Sequence, residues 1–369
     1  MGLGPEHKEH DEHDEHDEHD EHDEHDEIDS TRRRAPRRAT IHFHTGPAVP
    51  YWRVMESRAL GDTSLRVSEY GLGCARIGGV FQSNVRGFLD LLAFAFERGI
   101  TFYDTADMYS QGESEAFIGR ALRDKRSRIV IASKAGYCLP ARRRVAGFLK
   151  PLLRPVVQYL KIRRDRLPVI SRGALSQDFS RKYLVSAVEG SLRRLRTDYL
   201  DILQLHSPPR EVIERGEWQA ALEELKRKGK VRYYGIAVDS IEAGLSALRF
   251  AGVSSLQFRL SLLETQAAQE LFPQAHQRQV GGIARECLGN GLLAKPADQI
   301  DLKANCSSPE EEAYRAAQLE DLRREAEQSG RSLLQTALGY PLSVPGVSVA
   351  LLGARTRQQL ESLLDAAQK

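Results

Sequence analysis

From about residue 70 onward, two textures of apolar position alternate along the chain. Short β-rich runs ending near Ala75, Asp104, Lys134, His206, Ile236, Phe258, Ala284 and Leu352 read as strands. Between most of them lie segments such as FLDLLAFAFERG, EAFIGRALRD, YLVSAVEGSLRRL and EWQAALEELKRKG. These put apolar residues three and four apart, the spacing of a helix with one buried stripe. Gly99 and Gly229 stand where two such helices need a C-cap. Eight strands, each followed by a helix, predict an α/β chain closed into a (β/α)8 TIM barrel. Before the first strand, a turn at Gly61-Asp62 predicts an N-terminal β-hairpin that plugs the bottom of the barrel. The competing fold, a doubly wound nucleotide-binding sheet, would want GxGxxG after the first strand. GLGCARIGG offers GxG without the third glycine, so the barrel is preferred.

Residues 1–54 have neither texture. EHD repeats six times from Glu9 to Asp26, followed by an arginine cluster at 32–34, Arg37 and Arg38. The repeat has no apolar residue to offset the entropy of ordering, so 1–54 is predicted to be a disordered low-complexity tail, with the barrel occupying 55–369. The formal charge of +2 hides this division, because the tail holds 15 acidic against 7 basic residues. Nine of the 11 histidines lie in the tail. A period of three drifts around a 3.6-residue helical turn, so no coherent ligand face forms and no metal site is expected.

The remaining composition narrows the function class. Four scattered cysteines, Cys74, Cys138, Cys287 and Cys306, without CxxC pairs, fit a reducing compartment. No apolar run approaches a membrane span, and the acidic start is the wrong flank for a secretory signal, so a cytoplasmic location is expected. No motif or aromatic platform points to nucleic acid.

Candidate chemistry sits where strands end. GITFYDTADMYSQGESE, RIVIASKAGY and TDYLDILQLHSPP bring Asp104, Tyr109, Lys134 and His206 to the ends of the second, third and fourth strands, where barrel enzymes keep their active sites. Singly, Asp104 reads equally as a loop cap, Tyr109 as an ordinary aromatic, Lys134 as a solvated strand end and His206 as structural. Together the four suit proton delivery to a carbonyl that receives a hydride. A free tyrosine has a pKa of about 10, and a nearby ammonium favours its anion, so Tyr109 is expected as general acid, Lys134 as its partner and Asp104 as the group that holds Lys134. After the last strand, SVALLGARTRQQLESLLDAA places Gly353 and Arg355 ahead of a helix start, an arrangement suited to phosphate. Arg355 suits the 2′-phosphate of NADPH, with Thr356 and Gln359 as further polar contacts.

The wording of these stretches resembles the aldo-keto reductase family over residues 58–367. Met55 opens MESRALGDTSLRVSEYGLG, which looks like a complete start for that family, so the tail reads as an upstream extension or a mis-assigned start. The resemblance implies that His206 orients the carbonyl oxygen, that NADP(H) binds without a Rossmann fold, and that Gln257 contacts the nicotinamide carboxamide. Three departures stand out. Ala237 and Val238 replace the carboxamide-binding side chains after the fifth strand, Arg285 stands where many members place an aromatic, and Ser362-Leu363 replaces a Glu-Asn near the adenine.

Residues 137–173 carry 10 basic residues against one acid, Asp165, with apolar residues interleaved. A lid over the substrate mouth is the first reading of this insertion, a plain surface excursion the second, and contact with an anionic membrane the last. The leading functional expectation is an NADPH-dependent oxidoreductase acting on a small-molecule carbonyl or, in reverse, an alcohol. The alternatives are an NADP(H)-binding sensor with little turnover and a sugar dehydrogenase working in the oxidative direction.

Overall fold

The structure, a computed structural model, describes residues 55–78, 84–138 and 176–368. The expectations for 1–54 and for most of the 137–173 insertion lie outside these residues. In chain order the strands are β1 (Ser57–Ala59), β2 (Arg66–Ser68), β3 (Tyr70–Gly73), β4 (Phe102–Asp104), β5 (Val130–Ala135), β6 (Tyr137–Cys138), β7 (Ser176–Gln177), β8 (Leu200–His206), β9 (Val231–Ala237), β10 (Val253–Arg259), β11 (Gly281–Arg285) and β12 (Val347–Gly353). Eight of them, β3, β4, β5, β8, β9, β10, β11 and β12, close into a parallel barrel in that cyclic order. The doubly wound alternative is thereby excluded. The strand ends fall within about two residues of the sequence expectation.

The physical reasons are those of the pattern. All six residues of β5 are buried, as are the first six of β8 and β12, so continuous apolar runs meet burial on both faces. In the helix Glu217–Arg227 the buried residues are Trp218, Ala221, Leu222 and Leu225, one stripe at helical spacing. Gly229 follows it with φ +69°, ending the helix where expected. Asn84 caps the helix Val85–Glu97 through Gly87 N–H at 2.7 Å, and Ser180 caps Arg181–Leu195 through Tyr183 N–H. Two helices between β11 and β12, Pro309–Gln328 and Leu333–Ser343, go beyond the sequence reading. The first buries only Leu319 and Ala326, so it offers almost no apolar stripe.

β1 and β2 pair antiparallel as the expected hairpin. Its Leu60, Leu65 and Val67 are buried in one cluster with Phe102, Val130, Ala132, Ile202, Ile283, Val349 and Leu351 of the barrel strands. Gly61 turns with φ +54°, and a Cβ there would lie 2.4 Å from the Gln279 carbonyl oxygen, so the close approach requires glycine. The Asp62 amide donates to that same carbonyl at 2.7 Å and ties the turn to the chain entering β11. With the amino end plugged, the opposite end remains for chemistry.

Candidate active site

Asp104 closes β4 and Lys134 lies near the end of the adjacent β5. The Lys134 ammonium donates to both Asp104 oxygens, at 2.6 and 2.7 Å, and to the Thr105 carbonyl at 3.0 Å. It also bonds the Tyr109 side chain, and its centre lies 5.1 Å from that ring. Both charged groups are buried, Lys134 at 2 % and Asp104 at 4 % exposure, so each is the other's main source of solvation. Gln257, reaching in from β10, donates its side-chain amide to Asp104 Oδ1 at 2.8 Å. The residue expected to contact a nicotinamide therefore also fixes the carboxylate.

Burial pushes Lys134 toward the neutral amine, but the Asp104 carboxylate and Tyr109 more than offset this, and its pKa is raised. For Tyr109 the balance runs the other way. Burial raises the phenol, Lys134 pulls it down, Asp104 pushes it up again, and the net direction is upward. Lys134 acts with the expected sign, yet desolvation wins. Tyr109 holds its proton firmly in this state.

Tyr109 stands on an unusual turn. Its neighbours Ser110 (φ 50°), Gln111 (φ 62°) and Gly112 (φ 89°) are all left-handed, at a cost on the order of 1 kcal/mol for each of the two non-glycine residues. Ser110 Oγ donates to the Ile77 carbonyl at 2.8 Å, and Ser114 Oγ reaches the Cys74 carbonyl at 3.0 Å and Thr105 Oγ1 at 2.9 Å. These bonds lock the turn to the ends of β3 and β4. His206, at the end of β8, lies edge-on to Tyr109 (5.6 Å between ring centres) and to Tyr137 (4.8 Å). The four predicted residues thus converge at one mouth.

Sequence reading missed a second polar layer behind them. Glu115 is fully buried, accepting from Ser133 Oγ at 2.6 Å and from Arg194 Nε at 2.7 Å. Asp107 meets the Tyr183 hydroxyl at 3.1 Å, and that hydroxyl also bonds the Tyr137 carbonyl at 2.8 Å. A signal for Glu115 existed, since it falls three residues before the buried Ile118 on the packed face of its helix. Tyr183 carried none, because its partners lie 46 and 76 residues away.

On the cofactor side the structure separates the expected contacts. Gly353 ends β12 with open space where a Cβ would project. Arg355 is exposed and makes no ion pair with a described residue. Thr356 and Gln359 are engaged in capping the helix Arg357–Gln368: Thr356 Oγ1 accepts from the Gln359 amide at 3.2 Å, and Gln359 Oε1 accepts from the Arg355 amide at 2.9 Å. Arg357 reaches Asp90 at 3.4 Å and covers the Phe94 ring. Arg76, in the loop after β3, has its pKa lowered first by burial and then by the charge of Arg355, with Glu286 pulling it back up. An open glycine, a helix start and the exposed Arg355 guanidinium fit a phosphate-bearing dinucleotide. The departures are also visible. Ala237 and Val238 are buried apolar residues, Leu363 packs in the core, and Ser362 Oγ bonds the Gln358 carbonyl. Arg285 donates to the Val238 carbonyl at 3.2 Å and pairs with Asp239 and Glu286, a clasp between the ends of β9 and β11.

Comparison with known proteins agrees with this fold. The family model described as aldo/keto reductase family matches residues 70–369. An uncharacterized oxidoreductase from Bacillus subtilis is 31% identical over 319 residues, covering 85% of this chain and 91% of its own. Pyridoxal 4-dehydrogenase from Microbacterium luteolum is 28% identical over 84% of this chain and 92% of its own. Among solved structures, the holo form of an aldo-keto reductase from Bacillus halodurans superposes with a TM-score of 0.68 at 28% identity, covering 85% and 91% of the two chains.

Proposed function

The chain belongs to the aldo-keto reductase family and is an oxidoreductase, and from that premise we propose that it reduces an aldehyde or ketone with NADPH, Tyr109 acting as the general acid. The observation that carries this reading is the Lys134–Asp104 pair, bonded to Tyr109 and faced by His206. Gly353, Arg355 and the start of the helix Arg357–Gln368 would hold the dinucleotide phosphates, and a reduced nicotinamide, when bound, supplies the hydride. The chain's own residues handle the proton. His206 and the Tyr109 hydroxyl take the carbonyl oxygen by hydrogen bonding. As negative charge develops there, the Tyr109 O–H bond breaks and the proton passes to that oxygen. Lys134 then hydrogen-bonds the phenolate left behind, and Asp104 keeps Lys134 charged and aimed. Gln257 holds Asp104 in place. Alcohol oxidation is the same sequence reversed, and the relative named as a dehydrogenase favours keeping that direction in view.

The test follows NADPH absorbance against a panel of carbonyls, with Tyr109→Phe beside the native chain. Tyr109→Phe is expected to lower kcat by about 10²- to 10⁴-fold, the usual worth of a positioned acid, while NADPH still binds. NADPH binding by the native chain without turnover of any carbonyl, or turnover indifferent to the Tyr109 change, overturns the reading.

A further inference from the structure

Behind His206, one hydroxyl proton faces three acceptors. The Tyr183 oxygen lies 2.8 Å from the Tyr137 carbonyl, 3.1 Å from Asp107 Oδ2, and in hydrogen-bond contact with the Cys138 thiol. A carbonyl can only accept, so the shortest of these contacts takes the Tyr183 proton. Asp107 Oδ2 then faces an oxygen whose single proton is engaged, and their contact is bonding only if the carboxyl carries a proton of its own. Two further observations agree. Asp107 Oδ1 is buried with no hydrogen-bond partner among the described residues, a costly situation for a carboxylate and a mild one for a neutral acid. The nearby cation, Arg194, is committed through Nε to Glu115 and through a terminal nitrogen to Ser191.

We infer that Asp107 is a neutral carboxylic acid that donates to Tyr183, so that Tyr183 holds the Tyr137 carbonyl and thereby seats the Tyr137 ring against His206. Asp107 is then a positioning residue, and its ionisation is a built-in pH switch. On losing its proton the carboxylate takes the Tyr183 hydroxyl as a charge-assisted donor, and the Tyr137 carbonyl at the start of β6 loses its partner. His206, packed edge-on to that ring at 4.8 Å, loses one of the two aromatic walls that orient it. The groups facing Asp107 set the midpoint. Burial pushes the carboxyl up to about 7 and the Glu115 carboxylate pushes the same way, while the Arg194 guanidinium and the Met108 amide pull back, as does the Tyr183 hydroxyl once it turns to donate to the carboxylate. Cys138 of β6 bonds Tyr183 from the other side.

The inference rests on the reductase reading for its effect on turnover, and the test separates the two. The full chain carrying 13C-labelled aspartate carboxyl groups is titrated by NMR, with Asp107→Asn assigning the signal, and the His206 ring resonances are followed in the same samples. Asp107 is expected to titrate near 7, with the His206 resonances moving at that midpoint in the native chain and not in Asp107→Asn. On a reducible carbonyl, kcat/KM should fall about fivefold through the same midpoint, the size of one lost hydrogen bond. Asp107→Asn, whose amide still donates to Tyr183, should show no such fall, and Tyr183→Phe should stay at the lower value throughout. A carboxyl that titrates in the ordinary range near about 4 overturns the inference, as does a pH limb that persists in Asp107→Asn. If no carbonyl is turned over, the reductase reading fails by itself. The His206 resonances still decide: movement near 7 that Asp107→Asn abolishes supports the strap, and its absence refutes it.

Discussion

In the proposed reaction Tyr109 delivers a proton, so it must first keep one, and burial secures this. Desolvation outweighs the pull of Lys134, so the phenol stays protonated across the neutral range and the acid is loaded before a carbonyl arrives. Lys134 gains importance later, when a phenolate appears beside a buried ammonium already held by Asp104. The cofactor side has no comparable redundancy. Arg355 is exposed without a carboxylate partner among the described residues, whereas Arg357 and Arg285 are already paired. Arg355→Ala should therefore raise the KM for NADPH by about tenfold or more, the size of a lost charge-assisted contact. It should leave kcat and the KM for NADH nearly unchanged. Steady-state kinetics with the two nucleotides decides this; an equal effect on both means that Arg355 does not read the 2′-phosphate.

At the scale of elements, the hairpin and the strand ends have separable work. Leu60 is fully buried at the plugged end of the barrel, and Asp104, Lys134 and His206 stand at the other. Leu60→Ala should cost about 3 kcal/mol of unfolding free energy, through lost burial plus the cavity left behind. Its kcat should match the native value, as measured by urea unfolding beside steady-state turnover. The hairpin turn, the strand ends and the capped helices were legible because each has a local signature: Gly61-Asp62, an apolar run closing on a polar residue, a glycine at a C-cap. Other features were not. In YSQG only Gly112 announces a left-handed residue, while Ser110 and Gln111 take that conformation because Ile77, Cys74 and Thr105 anchor the turn from other elements. Gln257 could be placed at a strand end from its stretch, but its bond to Asp104 spans 153 residues and a whole barrel diameter. The helix Pro309–Gln328 buries two residues and so lacks the stripe that periodicity reads.

For the molecule as a whole, Asp107 links the site to the pH dependence of folding. Its carboxyl is raised from the ordinary value of about 3.9 to about 7 in the fold. Below about pH 4 it is protonated in both folded and unfolded chains, and its contribution to stability is fully present. As pH rises, the unfolded chain ionises first while the fold keeps its proton, so this contribution drains away by about 1.4 kcal/mol for each pH unit and is lost once the pH passes about 7. The total is at most about 4 kcal/mol, since relaxation and water entry around a half-buried residue reduce it. Other carboxylates titrate over the same interval, so the native curve alone does not isolate the effect. Asp107→Asn does, because it removes one ionisation and leaves the rest. The difference in unfolding free energy between native chain and variant, from urea titrations at several pH values, should shift against the native chain from about pH 4 to about pH 7 and level off above. A difference that stays flat over that interval would mean that the fold holds Asp107 as an ordinary carboxylate, with Tyr183 as its donor and the Tyr137 carbonyl unpaired at every pH.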